Sequence, residues 1–202
     1  MSGIELVVTS GTFSLDGGTW EVDNNIWLVG DEREVIVIDA AHDADAIVKA
    51  IGSRRVVAIV CTHAHDDHVN MAPTLAAMVK APILLHPAED PLWKFTHPDR
   101  DPDRGLVDGE MLHAGGVRLN VIHTPGHSPG SCSLYAPDLD TVFSGDTLFH
   151  GGPGATGRSF SDYDTIMHSV KHRLLVLPEI TQVCTGHGYS TSVGAEMSLR
   201  DP

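Results

Sequence analysis

The chain has 202 residues, 42% hydrophobic and 20% charged, the balance of an ordinary globular protein with room for one full hydrophobic core. Its 13 Lys and Arg against 27 Asp and Glu give a formal net charge of −14, a field that repels phosphate backbones and excludes nucleic-acid binding by a broad basic surface. No apolar run reaches the roughly 18 residues that cross a bilayer, and Met-Ser-Gly-Ile-Glu is no secretory leader, so a soluble, cytoplasmic protein is expected.

In chain order, residues 4–9, 26–29 and 34–38 are β-branched runs separated by Gly, Asp and Asn clusters, and they read as strands. A helix is predicted over 44–51, with Asp43 as its N-cap and Gly52 at its end. Residues 55–61 form a buried-strand run, and a cluster of ionisable side chains begins directly after it, where a rigid sheet fixes functional groups. A helix over 73–80 and a strand over 83–86 follow. Between residues 87 and 109 the composition turns to Pro, Asp and Arg, including Pro98-Asp-Arg-Asp-Pro-Asp-Arg104; this reads as a solvated loop or as a lid or edge of the substrate pocket. Strands resume at 117–122, 131–135 and 141–143. A Gly-rich loop over 151–157 leads to a helix over 162–175 with Ile166, Val170 and Leu174 at helical spacing. A last strand over 180–184 and a short helix over 193–199 complete the chain. Two strand-rich halves, each with helices, predict two packed sheets with helices outside, in one domain over residues 1–202.

Cys61, Cys132 and Cys184 are odd in number and show no C-x-x-C spacing, so buried thiols in a reducing compartment are expected rather than a disulfide framework. Cys61 and Cys184 stand two and three residues before candidate metal ligands, which leaves a redox effect on the site open.

The stretch Thr62-His-Ala-His-Asp-Asp-His68 packs His63, His65, Asp67 and His68 into six residues. Imidazole with carboxylate suits zinc, iron and their first-row neighbours, and the absence of cysteine favours a water-binding catalytic site over a closed structural one. Three more segments place a ligand-type residue at a Gly or Pro turn after a strand: His123-Thr-Pro-Gly-His127-Ser-Pro-Gly, Phe143-Ser-Gly-Asp146-Thr-Leu, and Cys184-Thr-Gly-His187-Gly. Glycine beside each ligand permits turns that other residues resist.

The order T-H-x-H-x-D-H, T-P-G-H-[ST]-P-G, S-G-D-T-L and G-H-G resembles the metallo-β-lactamase superfamily, and within it the glyoxalase II-like (hydroxyacylglutathione hydrolase-like) hydrolases, over about residues 29–196. The resemblance implies an α/β fold, a four-layer αβ/βα sandwich with the site along one edge of both sheets. It implies two divalent metal ions, zinc first, with iron or a zinc/iron pair as alternatives. His63, His65 and His127 would hold one ion, Asp67, His68 and His187 the other, and Asp146 would bridge them. Asp39 matches a family aspartate behind the ligands, although Ala40 and Ala41 stand where the family usually has Gly. Arg158 resembles the G-R turn that follows the bridging aspartate; it is either a structural ion-pair partner or a binder of substrate carboxylate. Glyoxalase II enzymes carry a helical extension that grips glutathione, whereas this chain ends at Pro202, fifteen residues after His187, so that mode of recognition is not expected.

Two metal ions about 3.5–4 Å apart can share a water, lower its pKa and polarise a carbonyl, and Asp67 is placed to orient the bridging hydroxide. The expected activity is a binuclear metal-dependent hydrolase cleaving a thioester or related acyl bond of a small molecule. A mononuclear iron persulfide dioxygenase and a lactone or ester hydrolase are the alternatives. An alkoxide leaving group would ask more of a proton donor, for which His150 and Tyr189 are the candidates. The remaining histidines read as surface or satisfied core positions. The sequence leaves the oligomeric state open, a homodimer included.

Overall fold

A computed structural model describes residues 2–200. The first sheet has six strands in the order β1 (Gly3–Leu15), β2 (Gly18–Gly30), β3 (Glu34–Ile38), β4 (Arg55–Val60), β5 (Ile83–Leu85) and β6 (Arg104–Gly105). The second runs β14 (Thr191–Ser192), β13 (Gln182–Thr185), β10 (Thr141–Gly145), β9 (Cys132–Ala136), β8 (Val117–His123), β7 (Met111–Ala114). A small ribbon of β11 (Leu148–Phe149) and β12 (Gly152–Pro153) stands apart. Helices α1 (Ala44–Ile51), α2 (Asp66–Val69), α3 (Ala72–Val79) and α4 (Asp90–Thr96) belong to the first half, and α5 (Tyr163–Ser169) to the second.

The layering follows from strand periodicity. Successive side chains point to opposite faces, and in β3 both faces are apolar. Val35 and Val37 pack outward with Ile47 and Ile51 of α1 and Leu75 of α3, while Ile36 and Ile38 pack inward against the second sheet. That inner layer contains Trp27, Val60, Leu119, Leu134 and Phe143. On the far side, Val142 and Val183 meet Ile166, Val170 and Leu174. Helix, sheet, sheet and helix are therefore stacked in the predicted αβ/βα order, and among the described residues no helix is long and apolar enough to cross a membrane.

Local signals hold where chemistry specifies them. The Asp43 side chain caps α1 by accepting from the Ala46 N–H at 2.9 Å, and Gly52 ends it at φ 64°. The helix predicted over 162–175 begins on an Asp162 cap but divides: α5 passes into a π-helical turn over Val170–Leu174.

Two expectations need correction. The strand over 4–9 is part of a hairpin of two 13-residue strands that turns at Asp16 and Gly17, both in the left-handed region at φ 53° and 78°. Asp-Gly is a strong hairpin signal, masked here because the strand residues next to the turn are largely exposed and do not alternate cleanly. Residues 87–109 are not loop throughout: Asp90 and Pro91 start helix α4, and Leu92, Trp93 and Leu106 are buried. The short terminal helix is a 3-10 helix, Gly194–Arg200.

Candidate metal centre

Five connections leave the sheets at one edge and carry the site. The chain leaving β4 brings His63 and His65 directly, and Asp67 and His68 on the short helix α2. The chain after β8 brings His127, β10 ends at Gly145 before Asp146, and β13 ends at Thr185 before His187. Asp39 follows β3. Backbone hydrogen bonds stitch the two sheets here: Cys132 N–H to the Thr62 carbonyl at 2.8 Å, and Asn25 N–H to the Gly186 carbonyl at 2.8 Å. Glycine is required at 186, where a Cβ would lie 2.2 Å from Asp146 Oδ1 and 2.8 Å from His68 Cε1.

All seven predicted ligands converge. His65 Nδ1 lies 3.1 Å from His63 Nε2 and 2.9 Å from His127 Nε2. His68 Nε2 lies 3.1 Å from His187 Nε2, and Asp67 Oδ2 lies 3.2 Å from His187 Nε2. Asp146 faces both groups, its Oδ2 3.6 Å from His127 Nε2 and 3.4 Å from His187 Nε2, its Oδ1 3.5 Å from His68 Nε2. Neighbouring ligand atoms on a tetrahedral ion with bonds of about 2.0 Å are roughly 3.3 Å apart, so the nitrogen separations suit a first-row cation.

The outer nitrogens decide which lone pairs face inward. His127 Nδ1 donates to the Ala155 carbonyl at 2.8 Å, and His187 Nδ1 to the Asp23 carbonyl at 2.7 Å. His68 Nδ1 sits 2.9 Å from Asp39 Oδ2. Thr62 Oγ1 donates to the same carboxylate at 3.0 Å and so accepts from His63 Nδ1 at 3.1 Å. Each contact holds a proton on Nδ1 and turns Nε2 toward the neighbouring ligand atoms, the arrangement of metal-binding histidines. Asp146 Oδ1 and His65 Nε2 are buried without a hydrogen-bond partner among the described residues. Convergent ring nitrogens and an orphaned buried carboxylate oxygen fit a cation.

Charge separates the two groups. Burial pushes His65 down to about 3, and burial with the surrounding imidazoles also lowers His63 and His127, so the three-histidine group is neutral. Burial works the same way on His68 and His187 but is outweighed by carboxylates: Asp67, Asp146 and Asp39 hold His68 well above its usual value, and Asp146 and Asp67 raise His187 to about 10. Asp67 and Asp146 are held low by the same histidines against the opposing effect of burial.

The residues that fix this geometry were largely absent from the sequence reading. Asn24 of β2, predicted as turn, donates to Asp67 Oδ2 at 3.1 Å while its carbonyl oxygen meets His42 Nε2 at 2.8 Å. His42 is held in turn by Asn70 and is no idle surface histidine. Glu89, fully buried, accepts from the Ala64 N–H at 2.7 Å and the Gly130 N–H at 2.6 Å, tying the His63–His65 turn to the loop after His127. A carboxylate inside a Pro-rich stretch gave no sequence signal of that role. Asp39 does lie behind the ligands as expected.

A cleft of about 480 Å³ opens over the cluster, walled by Phe13, Trp20, Phe149 and Arg158. None of its walls comes from residues 87–109. Arg158 makes no ion pair among the described residues; its guanidinium stacks on Trp20 at 4.3 Å and Phe13 at 5.2 Å. Neither candidate proton donor lines the cleft: His150 faces Glu196 at 3.4 Å, and Tyr189 is 89% exposed. The three cysteines are free and buried, and burial raises each thiol, Cys184 to about 11, which makes them poor nucleophiles at neutral pH.

Comparison with known proteins agrees with this geometry. A probable metallo-hydrolase YqgX from Bacillus subtilis is 33% identical over 86% of this chain and 88% of its own length. The hydroxyacylglutathione hydrolase GloC from Haemophilus influenzae is 30% identical over 85% and 87%. The crystal structure of TTHA1623 in a di-iron-bound form superposes with a TM-score of 0.79 at 32% identity, covering 87% of this chain and 92% of that one. The profile of the metallo-beta-lactamase superfamily matches residues 19–187, and the chain belongs to that superfamily.

Proposed function

We propose that the protein is a two-metal hydrolase that cleaves a thioester or a related acyl bond of a small molecule, with zinc or iron in its two sites. The observation that carries this reading is the Asp146 carboxylate, which reaches the three-histidine group through His127 and the His68–His187 group through both of its oxygens. His63, His65 and His127 would hold one ion, and Asp67, His68 and His187 the other, with Asp146 shared. When bound, such a pair lowers the pKa of a shared water toward neutrality and polarises a substrate carbonyl.

The chain's own residues do the rest. Asn24 fixes Asp67 Oδ2, so that carboxylate is aimed to accept a hydrogen bond from the attacking water and to orient it. Phe13, Trp20 and Phe149 give the acyl group an apolar wall and keep bulk water from that side. Water adds across the acyl bond, and a carboxylic acid and a thiol leave. A thiolate needs little protonation, which agrees with a cleft lined by neither His150 nor Tyr189. The similarity to a hydroxyacylglutathione hydrolase supports the thioester class.

The test is metal analysis of the purified protein joined to a panel of acyl thioesters, esters and lactones. Two ions per chain with release of free thiol is the expected result. One iron per chain with oxygen consumed on a persulfide, and no thiol released from the panel, would overturn it.

A further inference from the structure

We propose that His42 is a positioning residue: a hydrogen-bond chain running from its backbone N–H through Asn70, the His42 ring and Asn24 dictates which end of the Asn24 amide faces Asp67, and so holds that carboxylate in place for the attacking water. The kinetic consequence rests on the hydrolase reading, whereas the wiring does not. The direction of the chain follows from its first member. A backbone N–H can only donate, so the Asn70 side-chain oxygen must be the atom 2.7 Å from the His42 nitrogen. The Asn70 amide nitrogen then faces the ring, 3.1 Å from Nδ1. An amide nitrogen offers no acceptor, so Nδ1 accepts and the ring carries its proton on Nε2. Nε2 donates to Asn24 Oδ1 at 2.8 Å, which turns the Asn24 amide nitrogen toward Asp67 Oδ2 at 3.1 Å. With the opposite polarity the Asn24 oxygen would face Asp67 Oδ2, two acceptors in contact between buried side chains, and the carboxylate would be driven aside or protonated.

The fold is shaped to hold this ring. His42 has a left-handed backbone, φ 61°, which is uncommon outside glycine. Strand β1 passes the ring at Gly11, where a Cβ would lie 2.2 Å from His42 Nδ1. Burial lowers the His42 pKa, so at pH 7 the ring is neutral and keeps the lone pair that Asn70 needs. None of Asn24, His42 and Asn70 lines the cleft, so their effect on a bound substrate passes through Asp67.

The tautomer is read first, by long-range proton–nitrogen NMR of the metal-free wild type near neutral pH. A neutral His42 ring protonated on Nε2 is expected, and a ring protonated on Nδ1 would overturn the proposal. This measurement needs no variant, so misfolding of a variant leaves the proposal open to refutation. At saturating metal, kcat and KM for the pentanoyl thioester of N-acetylcysteamine are then compared in wild type, His42→Phe and His42→Gln. His42→Phe keeps a planar ring without either nitrogen, and its kcat should fall about 10- to 100-fold with KM unchanged, the scale of losing a fixed donor to a charged group. The glutamine amide offers one acceptor and one donor, as the neutral imidazole does, and His42→Gln should recover most of kcat. An unchanged kcat in His42→Phe, or an equal loss in His42→Gln, would overturn the proposal while leaving the hydrolase reading intact. Absence of thioester turnover in wild type counts against the hydrolase reading alone, and solvent exchange of the Asn24 side-chain amide protons then decides the wiring. Faster exchange in His42→Phe that slows again in His42→Gln supports it, and equal rates in all three proteins refute it.

Discussion

The Glu89 carboxylate takes the Gly130 N–H at 2.6 Å with one oxygen and the Ala64 N–H at 2.7 Å with the other, so a single buried side chain sets the spacing between His63, His65 and His127. Replacing it with glutamine turns one acceptor into a donor facing an N–H. Glu89→Gln should cost about 1–3 kcal/mol in the metal-free protein, the penalty for an unsatisfied buried group. Urea unfolding measures it, and a variant as stable as wild type would show that the two loops hold their spacing without it.

Asp39 governs His68 in a comparable way. Asp39→Asn removes the charge that steadies the His68 Nδ1 proton and sets an amide donor against one of the N–H or O–H groups that the carboxylate now accepts. Metal affinity at the Asp67–His68–His187 group should fall about 10- to 100-fold, the usual effect of losing the carboxylate behind a ligating histidine. Competition with a chromogenic chelator reads this directly, and the three-histidine group should be affected much less.

Asp146→Ala should empty both groups together, because that carboxylate touches each of them. Elemental analysis after dialysis is the measurement. Two full-occupancy metals in the variant would show that it does not bridge.

The metal-free protein should lose stability in both directions from about pH 6.5. His187 is raised from 6.5 to about 10 in the folded state, so its contribution is complete below pH 6.5 and is lost as the pH climbs through 10. His65 is lowered from 6.5 to about 3, so its contribution is complete above pH 6.5 and is lost as the pH falls through 3. Metal binding displaces the His187 proton, and loading should therefore strengthen with rising pH and release protons measurable by calorimetry in two buffers. A stability profile that is flat across pH 7 to 10 would contradict the alkaline limb.

The convergence of the seven candidate ligands was legible in the sequence because each sits in a short motif at the end of a strand, and the four motifs recur in a recognisable order. The layer order was legible for a similar reason, since the runs at Val35 and Val56 are apolar on both faces. What escaped has a different physical character. Glu89, Asn24 and His42 act through contacts across 18 to 43 residues of chain, and no local pattern encodes a partner at that distance. The long first hairpin was missed because the half of it next to the turn is largely exposed and carries no hydrophobic period. Helix α4 lies in a stretch whose Pro, Asp and Arg composition reads as loop, although proline is favoured in a first helical turn and Pro91 stands there.

The two sheets share the site unequally in time. His63, His65, Asp67 and His68 leave the ribosome first, on the first sheet's side, whereas His127, Asp146 and His187 arrive only with the second sheet. A nascent chain thus lacks a closed cage until nearly its whole length has been made. Neither ligand group is complete before the second sheet exists, and only then can the Cys132–Thr62 and Asn25–Gly186 stitches set the spacing between them.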